Sequence, residues 1–267
     1  MLSPESSIAF FIGKFPVHYY SITMFLAILL GTVFSCFVAK KYYKEVNIDV
    51  ILDVLPIVII AGILGARLYY VLLDWSYYSQ NLCDIWAIYK GGLSIHGAIL
   101  GGFLGGFVYI KKNRLNLWKI ADVYSYGLIL GQIIGRLGNY FNKEAFGLPC
   151  YFMNNICLYI PEKHRPIQFL YVEFFHPTFL YEMVWNIFVL MILLFCVRRV
   201  VKNVDGVVFF SYLFLYSLGR VFIEALRLDS VLTINGIHFA QVVSVLVCLV
   251  SGVIVFNLLR KNYSKLK

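Results

Sequence analysis

An all-α, polytopic membrane protein is the fold class this sequence predicts, and three observations predict it. Hydrophobic residues make up 61% of the 267-residue chain and charged residues only 14%, where a soluble domain carries about 25% charge. Mean hydropathy is +0.79. The apolar stretches are each about 20 residues long rather than short and alternating, which favours a helical bundle over a barrel. Aromatic residues reach 18% and supply candidates for interfacial anchors.

Seven spans follow in order: Tyr19–Ala39, Val50–Leu73, Leu93–Ile110, Leu115–Leu137, Thr178–Val197, Val207–Leu226 and Ile237–Leu259. Glycines and charged residues interrupt the second, third and fourth, so their boundaries are the least sharp. Met1–Pro16 lacks a basic n-region and a small-residue cleavage site, so the first span is expected to stay as a membrane helix. No internal repeat or soluble domain interrupts the series, which reads as one membrane-embedded domain over 1–267. The one long connection, Asn139–His176, is mixed polar and aromatic, and connections of that length in compact proteins are usually functional or disordered.

Basic residues fix the expected orientation. The connections after the odd-numbered spans hold Lys40–Lys44, Lys111–Lys119, Arg198–Lys202 and Arg260–Lys267, fourteen Lys and Arg in all, against five on the other side. That bias predicts an outside N-terminus and 139–176 loop, and a cytoplasmic C-terminus. The formal charge of +9 therefore reads as topology and lipid-headgroup contact, and not as a nucleic-acid surface.

The six cysteines have neither CxxC nor Cys/His zinc spacing. Cys36, Cys196 and Cys248 lie in apolar runs. Cys150 and Cys157 share the 139–176 loop, and a disulfide between them requires that loop to be outside the cell. Neither metal nor cofactor is expected.

Four arginines stand inside or at the ends of spans: Arg67, Arg136, Arg220 and Arg227. A charge at the centre of a membrane helix costs on the order of 3 kcal/mol on insertion scales, so such residues tend to face the bundle interior and mark function. Snorkelling from a helix end to the headgroups accounts for Arg227. With the predicted directions, Arg67, Arg136 and Arg220 fall in the outer half together with Tyr20, His96, His176, Glu182 and His238. Glu224 lies one turn beyond Arg220 on the same helix face. Asp53 and Asp122 are the exceptions, at inner ends, and read as solvated or structural. Arginines with carboxylate partners at that depth suit a phospholipid phosphate. His96, between Gly92 and Gly97, is either a general base or a bond to a neighbouring helix.

The segment Gly135-Arg136-Leu137-Gly138-Asn139-Tyr140-Phe141-Asn142-Lys143-Glu144 resembles the signature of the prolipoprotein diacylglyceryl transferase family, G-R-x-G-N-F-x-N-x-E. Around it, in the family's order, stand Tyr19-Tyr20, Gly65-Ala66-Arg67, Gly91-Gly92-Leu93-Ser94-Ile95-His96-Gly97, His176-Pro177-Thr178-Phe179-Leu180-Tyr181-Glu182, and Tyr216 through Arg220 to Glu224. Small departures occur at Ser21, Ala98 and Thr178-Phe179. The resemblance implies a multi-pass enzyme of the bacterial inner membrane with its site toward the outer leaflet. It implies transfer of the sn-1,2-diacylglyceryl group of phosphatidylglycerol to the lipobox cysteine of a preprolipoprotein signal peptide, forming a thioether and releasing glycerol 1-phosphate. Arg136 and Arg220 would then hold the phosphate, while Tyr20, Asn139, Glu144, Tyr216 and Glu224 orient them or the glycerol head. His96 would take the thiol proton.

Two other classes compete. A different headgroup enzyme would use the same arginines with a nucleophile of its own, but no G-x-S-x-G is present. A transporter would need a polar path to both leaflets, and the ionisable groups stop at the outer half.

Overall fold

The computed structural model describes residues 6–151, 156–200, 204–228, 233–234 and 237–266. Lys202 and Lys267 of the predicted cytoplasmic clusters lie outside the described residues. Among the described residues, seven long helices follow the predicted spans: α1 Tyr19–Tyr42, α2 Ile48–Leu73, α3 Ile95–Lys112, α4 Leu117–Asn142, α5 Thr178–Ile192, α6 Val207–Glu224 and α7 Phe239–Leu266. α5 continues as a π-turn over Leu193–Val197. The chain is an all-α, polytopic membrane protein.

Among the described residues, five helices, α1, α2, α5 with its π-turn, α6 and α7, are long and apolar enough to cross a membrane by length and composition. α3 and α4 are helices of sufficient length whose composition is less apolar. In α3, Gly97, Gly101, Gly102, Gly105 and Gly106 and the terminal Lys111 and Lys112 dilute the apolar run. In α4, Lys119, Asp122, Gln132 and Arg136 do so. The fourth helix also runs on to Asn142, so the connection starts at Lys143 and not at Asn139 as expected.

The chain divides into two compact units, residues 1–35 with 121–267, and residues 36–120. In the second unit, α2 and α3 pack backbone against backbone. A Cβ at Gly65 would lie 2.5 Å from the Gly97 carbonyl oxygen and 2.8 Å from Gly101 Cα. Lipid tails are as apolar as leucine, so membrane helices gain by close van der Waals contact, which small residues permit. Arg67 closes this unit by donating to four carbonyls of the following connection: Asp84 at 2.5 Å, Ile85 at 2.8 Å, Gly91 at 2.7 Å and Gly92 at 3.0 Å.

In the first unit, strands β1 Ile8–Ile12 and β2 Phe15–His18 form a hairpin before α1. Gly31 of α1 meets Gly127 of α4, where a Cβ on Gly31 would stand 2.7 Å from the Gly127 oxygen. Strands β3 Leu158–Tyr159 and β4 Phe174–Phe175 pair antiparallel within the long connection. The short β5 Thr233–Ile234 and β6 Ile237–His238 pair before α7.

The long connection is a small folded module. Ala145, Phe146, Leu158, Ile160, Phe175 and Phe179 form its buried core. Its first segment lies between two others: Gly147 N–H donates to His176 O at 2.8 Å, and Leu148 N–H to Leu226 O at 3.0 Å. Cys150 and Cys157 are joined by a disulfide, with Cα atoms 6.2 Å apart.

Two measurements follow from this packing. Gly65→Val forces α2 and α3 apart and is expected to destabilise the protein by about 1–3 kcal/mol, read by denaturation in detergent against the wild type. Removing the disulfide with Cys150→Ser and Cys157→Ser is expected to weaken the module by about 2 kcal/mol, from the entropy of closing so short a loop. Faster proteolysis between residues 156 and 176 in the double variant would register it.

Candidate active site

Three arginines of the first unit gather around one carboxylate. Glu182 stands in the second turn of α5, only 3% exposed. The α5 start is fixed because Thr178 Oγ1 donates to Ala145 O at 2.6 Å, and Phe179 N–H donates to the same oxygen at 3.0 Å. Glu182 Oε2 pairs with Arg136 Nη2 of α4. Glu182 Oε1 receives Arg220 Nη1 of α6 at 2.5 Å and faces Arg227 Nη1 at 3.6 Å.

A second buried carboxylate completes the cluster. Glu224 is 2% exposed, and its Oε2 lies 2.7 Å from Arg220 Nη2, the i,i+4 pairing expected from the sequence. The same oxygen lies 3.6 Å from Arg227 Nη1. His238 Nδ1 donates to the Glu224 backbone oxygen at 2.9 Å, so the chain leading into α7 also grips this end of α6. The three guanidinium side chains are 14–18% exposed. Three positive charges thus meet two negative ones. An ion removed from water needs an opposite partner and hydrogen bonds, and here each arginine has at least one buried carboxylate.

The expected residues divide as follows. Arg136, Arg220 and Glu224 are brought together. Asn139 joins them, its Oδ1 accepting from Arg136 Nη1 at 3.2 Å across one helical turn. Tyr20 packs its ring against Gly138, where a Cβ would lie 2.8 Å from Tyr20 Cδ2, so the glycine between Arg136 and Asn139 makes room for the tyrosine. Tyr216 stacks on Tyr212, ring centroids 6.0 Å apart, one turn before Arg220. Glu144 is exposed; Asn142 Nδ2 donates to its Oε1 at 3.4 Å, and its own N–H holds the Asn139 carbonyl at 3.0 Å. His176 bonds Tyr181 Oη through Nδ1 at 2.9 Å.

His96 belongs to the other unit. It is exposed in the first turn of α3, with its ring 6.2 Å from that of Tyr69. Arg67, in the same unit, is committed to backbone carbonyls and serves its own fold.

Two members of the cluster were not assigned from sequence. Glu182 was visible as an acid in an apolar span, but its partners lie far along the chain. Arg227, expected to snorkel to headgroups, instead turns its side chain toward Glu182 and Glu224. Its i,i+3 spacing from Glu224 was the available signal.

The fold and this site define a multi-pass membrane protein with a buried, net-positive arginine–glutamate cluster suited to an anionic ligand. Comparison with known proteins carries this further. The family model described as prolipoprotein diacylglyceryl transferase matches residues 7–257, and the chain belongs to that family, whose members are transferases. It is 43% identical to a phosphatidylglycerol–prolipoprotein diacylglyceryl transferase of Acaryochloris marina, covering 89% of this chain and 85% of that one. It is 41% identical to one from Synechocystis, over 96% and 90% of the two chains. A Clostridium botulinum protein of the same name is 37% identical, over 96% and 98%.

Removing the central carboxylate is expected to cost the most. Glu182→Gln leaves three partly buried guanidinium groups around one remaining carboxylate, and should destabilise the protein by on the order of 3 kcal/mol. Denaturation in detergent, run beside the exposed-site control Glu144→Gln, checks this; similar midpoints for both variants would contradict it.

Proposed function

We propose that this chain transfers the sn-1,2-diacylglyceryl group of phosphatidylglycerol to the lipobox cysteine thiol of a preprolipoprotein signal peptide. We place the reaction in the bacterial inner membrane, toward the outer leaflet, with one transferase domain of seven spans, the N-terminus outside and the C-terminus in the cytoplasm. Family membership and the substrate names of the relatives support the chemistry, and the excess of Lys and Arg after the odd-numbered spans supports the orientation. The observation that carries the reading is the buried cluster of Arg136, Arg220 and Arg227 on Glu182 and Glu224.

The products define the step. The cysteine thiolate attacks the glyceryl carbon that bears the phosphate ester. A C–S bond forms, the C–O bond breaks, and its electron pair leaves with glycerol 1-phosphate. Arg136 and Arg220 bind the phosphate: each guanidinium has five N–H donors, and those committed to Glu182, Glu224 and Asn139 leave others for its oxygens. Because the carboxylates already hold the arginines in place, little reorganisation is needed as charge grows on the leaving group. Tyr20, Asn139, Glu144, Tyr216 and Glu224 keep the arginines and the glycerol head oriented. The thiol proton needs an acceptor, since thiolate is the nucleophile; His96 is assigned to this on the chemistry of imidazole at neutral pH.

Purified protein in detergent, with phosphatidylglycerol and a lipobox peptide, tests the reading through glycerol phosphate release and peptide mass gain. Release is expected to require the peptide thiol, and to fall on the order of 10²-fold or more in Arg136→Ala and Arg220→Ala. His96→Gln is expected to lose activity that partly returns as pH approaches the thiol pKa of about 8.5. Phosphate release without peptide would replace this reading with a lipid hydrolase.

A further inference from the structure

Asp122 is a buried carboxylate that the proposed chemistry does not use. It stands on α4 and is 1% exposed. Its Oδ2 accepts the Gly206 N–H at 2.7 Å, and its Oδ1 accepts the Phe209 N–H at 2.8 Å. Gly206 is the N-cap of α6 and Phe209 lies in its first turn, where helix N–H groups have no partner within their own helix and a negative charge is favoured. Gly206 takes φ 89°, ψ −13°, a left-handed conformation open to glycine that turns its N–H toward the carboxylate. Asp122 is thus a cap supplied by one helix to another.

Its place along the helices gives the cap a second consequence. Arg136 follows Asp122 by fourteen residues on α4, and Arg220 follows Gly206 by fourteen residues on α6. At 1.5 Å per residue both intervals are about 21 Å. α4 and α6 are therefore tied at two levels with the same separation along each helix, directly by Asp122 at one end and through Glu182 of α5 by Arg136 and Arg220 at the other. Between them, Trp185 Nε1 donates to Leu215 O at 2.9 Å, and Gly219 leaves the space its indole fills.

We propose that Asp122 is a positioning residue for the arginine cluster: by gripping the start of α6 it sets the axial register that brings Arg220 and Glu224 level with Arg136. A slip of α6 along α4 would leave all three side chains intact and spoil only their convergence. The catalytic part of this proposal rests on the transferase reading above; the geometric part does not.

The experiment uses the full-length protein in detergent, with Cys36, Cys83, Cys196 and Cys248 replaced by serine and spin labels at Leu137→Cys and Phe222→Cys. Both label sites are exposed, near the ends of α4 and α6. Asp122→Asn keeps the shape but turns one acceptor into a donor facing an N–H; Asp122→Ala removes both acceptors. In Asp122→Asn the label–label distance is expected to shift by about 1–2 Å, with KM for phosphatidylglycerol raised, kcat/KM down on the order of 10²-fold, and KM for the lipobox peptide unchanged. A label distance unmoved in the folded variant would overturn the proposal, as would a shifted distance with wild-type KM for the lipid. A loss of activity matched by the unfolded fraction, with both KM values unchanged, would also overturn it and make Asp122 a folding residue alone. Failure of the wild type to turn over would refute the transferase reading, while the label distance would still decide the register.

Discussion

The need to neutralise Glu182 is the constraint that brings α4, α5 and the end of α6 together in the larger unit. A carboxylate that is 3% exposed in a membrane protein cannot be left unpaired, because the desolvation penalty of a bare ion exceeds any packing gain. Its partners come from α4, from the last turn of α6 and from the residue three beyond Glu224. These segments have to arrive together and in one register, since an error of a turn would strand a charge. We hold that the cluster's main contribution is this specificity and not net stability, a hypothesis for this protein consistent with how little buried ion pairs usually add. The module after α4 reinforces the same point. Its segment 145–148 bonds both the start of α5 and the chain just beyond α6, the two places from which Glu182 and Arg227 project.

Much of this was legible in the sequence wherever the cause is local. Apolar runs located the seven long helices of the described residues, most ends to within two or three residues, because backbone removed from water satisfies its polar groups within a helix. The i,i+4 pair Arg220–Glu224 follows from helical spacing, whereas the Arg136–Asn139 pair needed α4 to run past Leu137, where the apolar run stops. What sequence could not supply were encounters across the chain. Glu182 meets Arg136 from 46 residues away and Arg220 from 38, and no periodicity encodes that. Arg227 was misread for the same reason: beside a helix end, snorkelling is the sound local inference, and the buried carboxylates that draw the side chain inward are tertiary. The 143–176 module escaped because its strands are two residues long, too short for an alternation, and its order comes from a six-residue core and a disulfide.

Two packing strategies coexist: glycine contacts occur in both units, Gly31 on Gly127 among them, and polar ties between long helices mark the larger one. In residues 36–120, α2 and α3 press together through glycines, with Arg67 spending its donors on carbonyls of the connection. In the other unit, polar ties cross the helices: Asp122 to α6, Trp185 to Leu215, and the arginine cluster itself. Glycine contacts hold helices close but specify rotation and height weakly, since one glycine step resembles the next. Charged ties at fixed positions specify both. The unit that carries the ionisable cluster is the one built with charged ties.

The charge count of the cluster also bears on how the proposed reaction would run. Three guanidinium groups and two carboxylates leave one positive charge, which matches the single negative charge of a phosphodiester such as phosphatidylglycerol. Binding the lipid would therefore bring the buried site to neutrality, the state that costs least in a low dielectric. Transfer converts the diester to a monoester, whose second pKa near 6 gives it a charge of about −1.5 to −2 at neutral pH. The arginines are then strained toward a more negative ligand than they can neutralise, and water competes better for the product than it did for the substrate. Attraction strongest as the C–O bond breaks, followed by an overcharged product, favours turnover over retention. In the proposed reaction the two glutamates would therefore do more than hold the arginines still: without them, a bare triad of guanidinium groups would bind the monoester best of all.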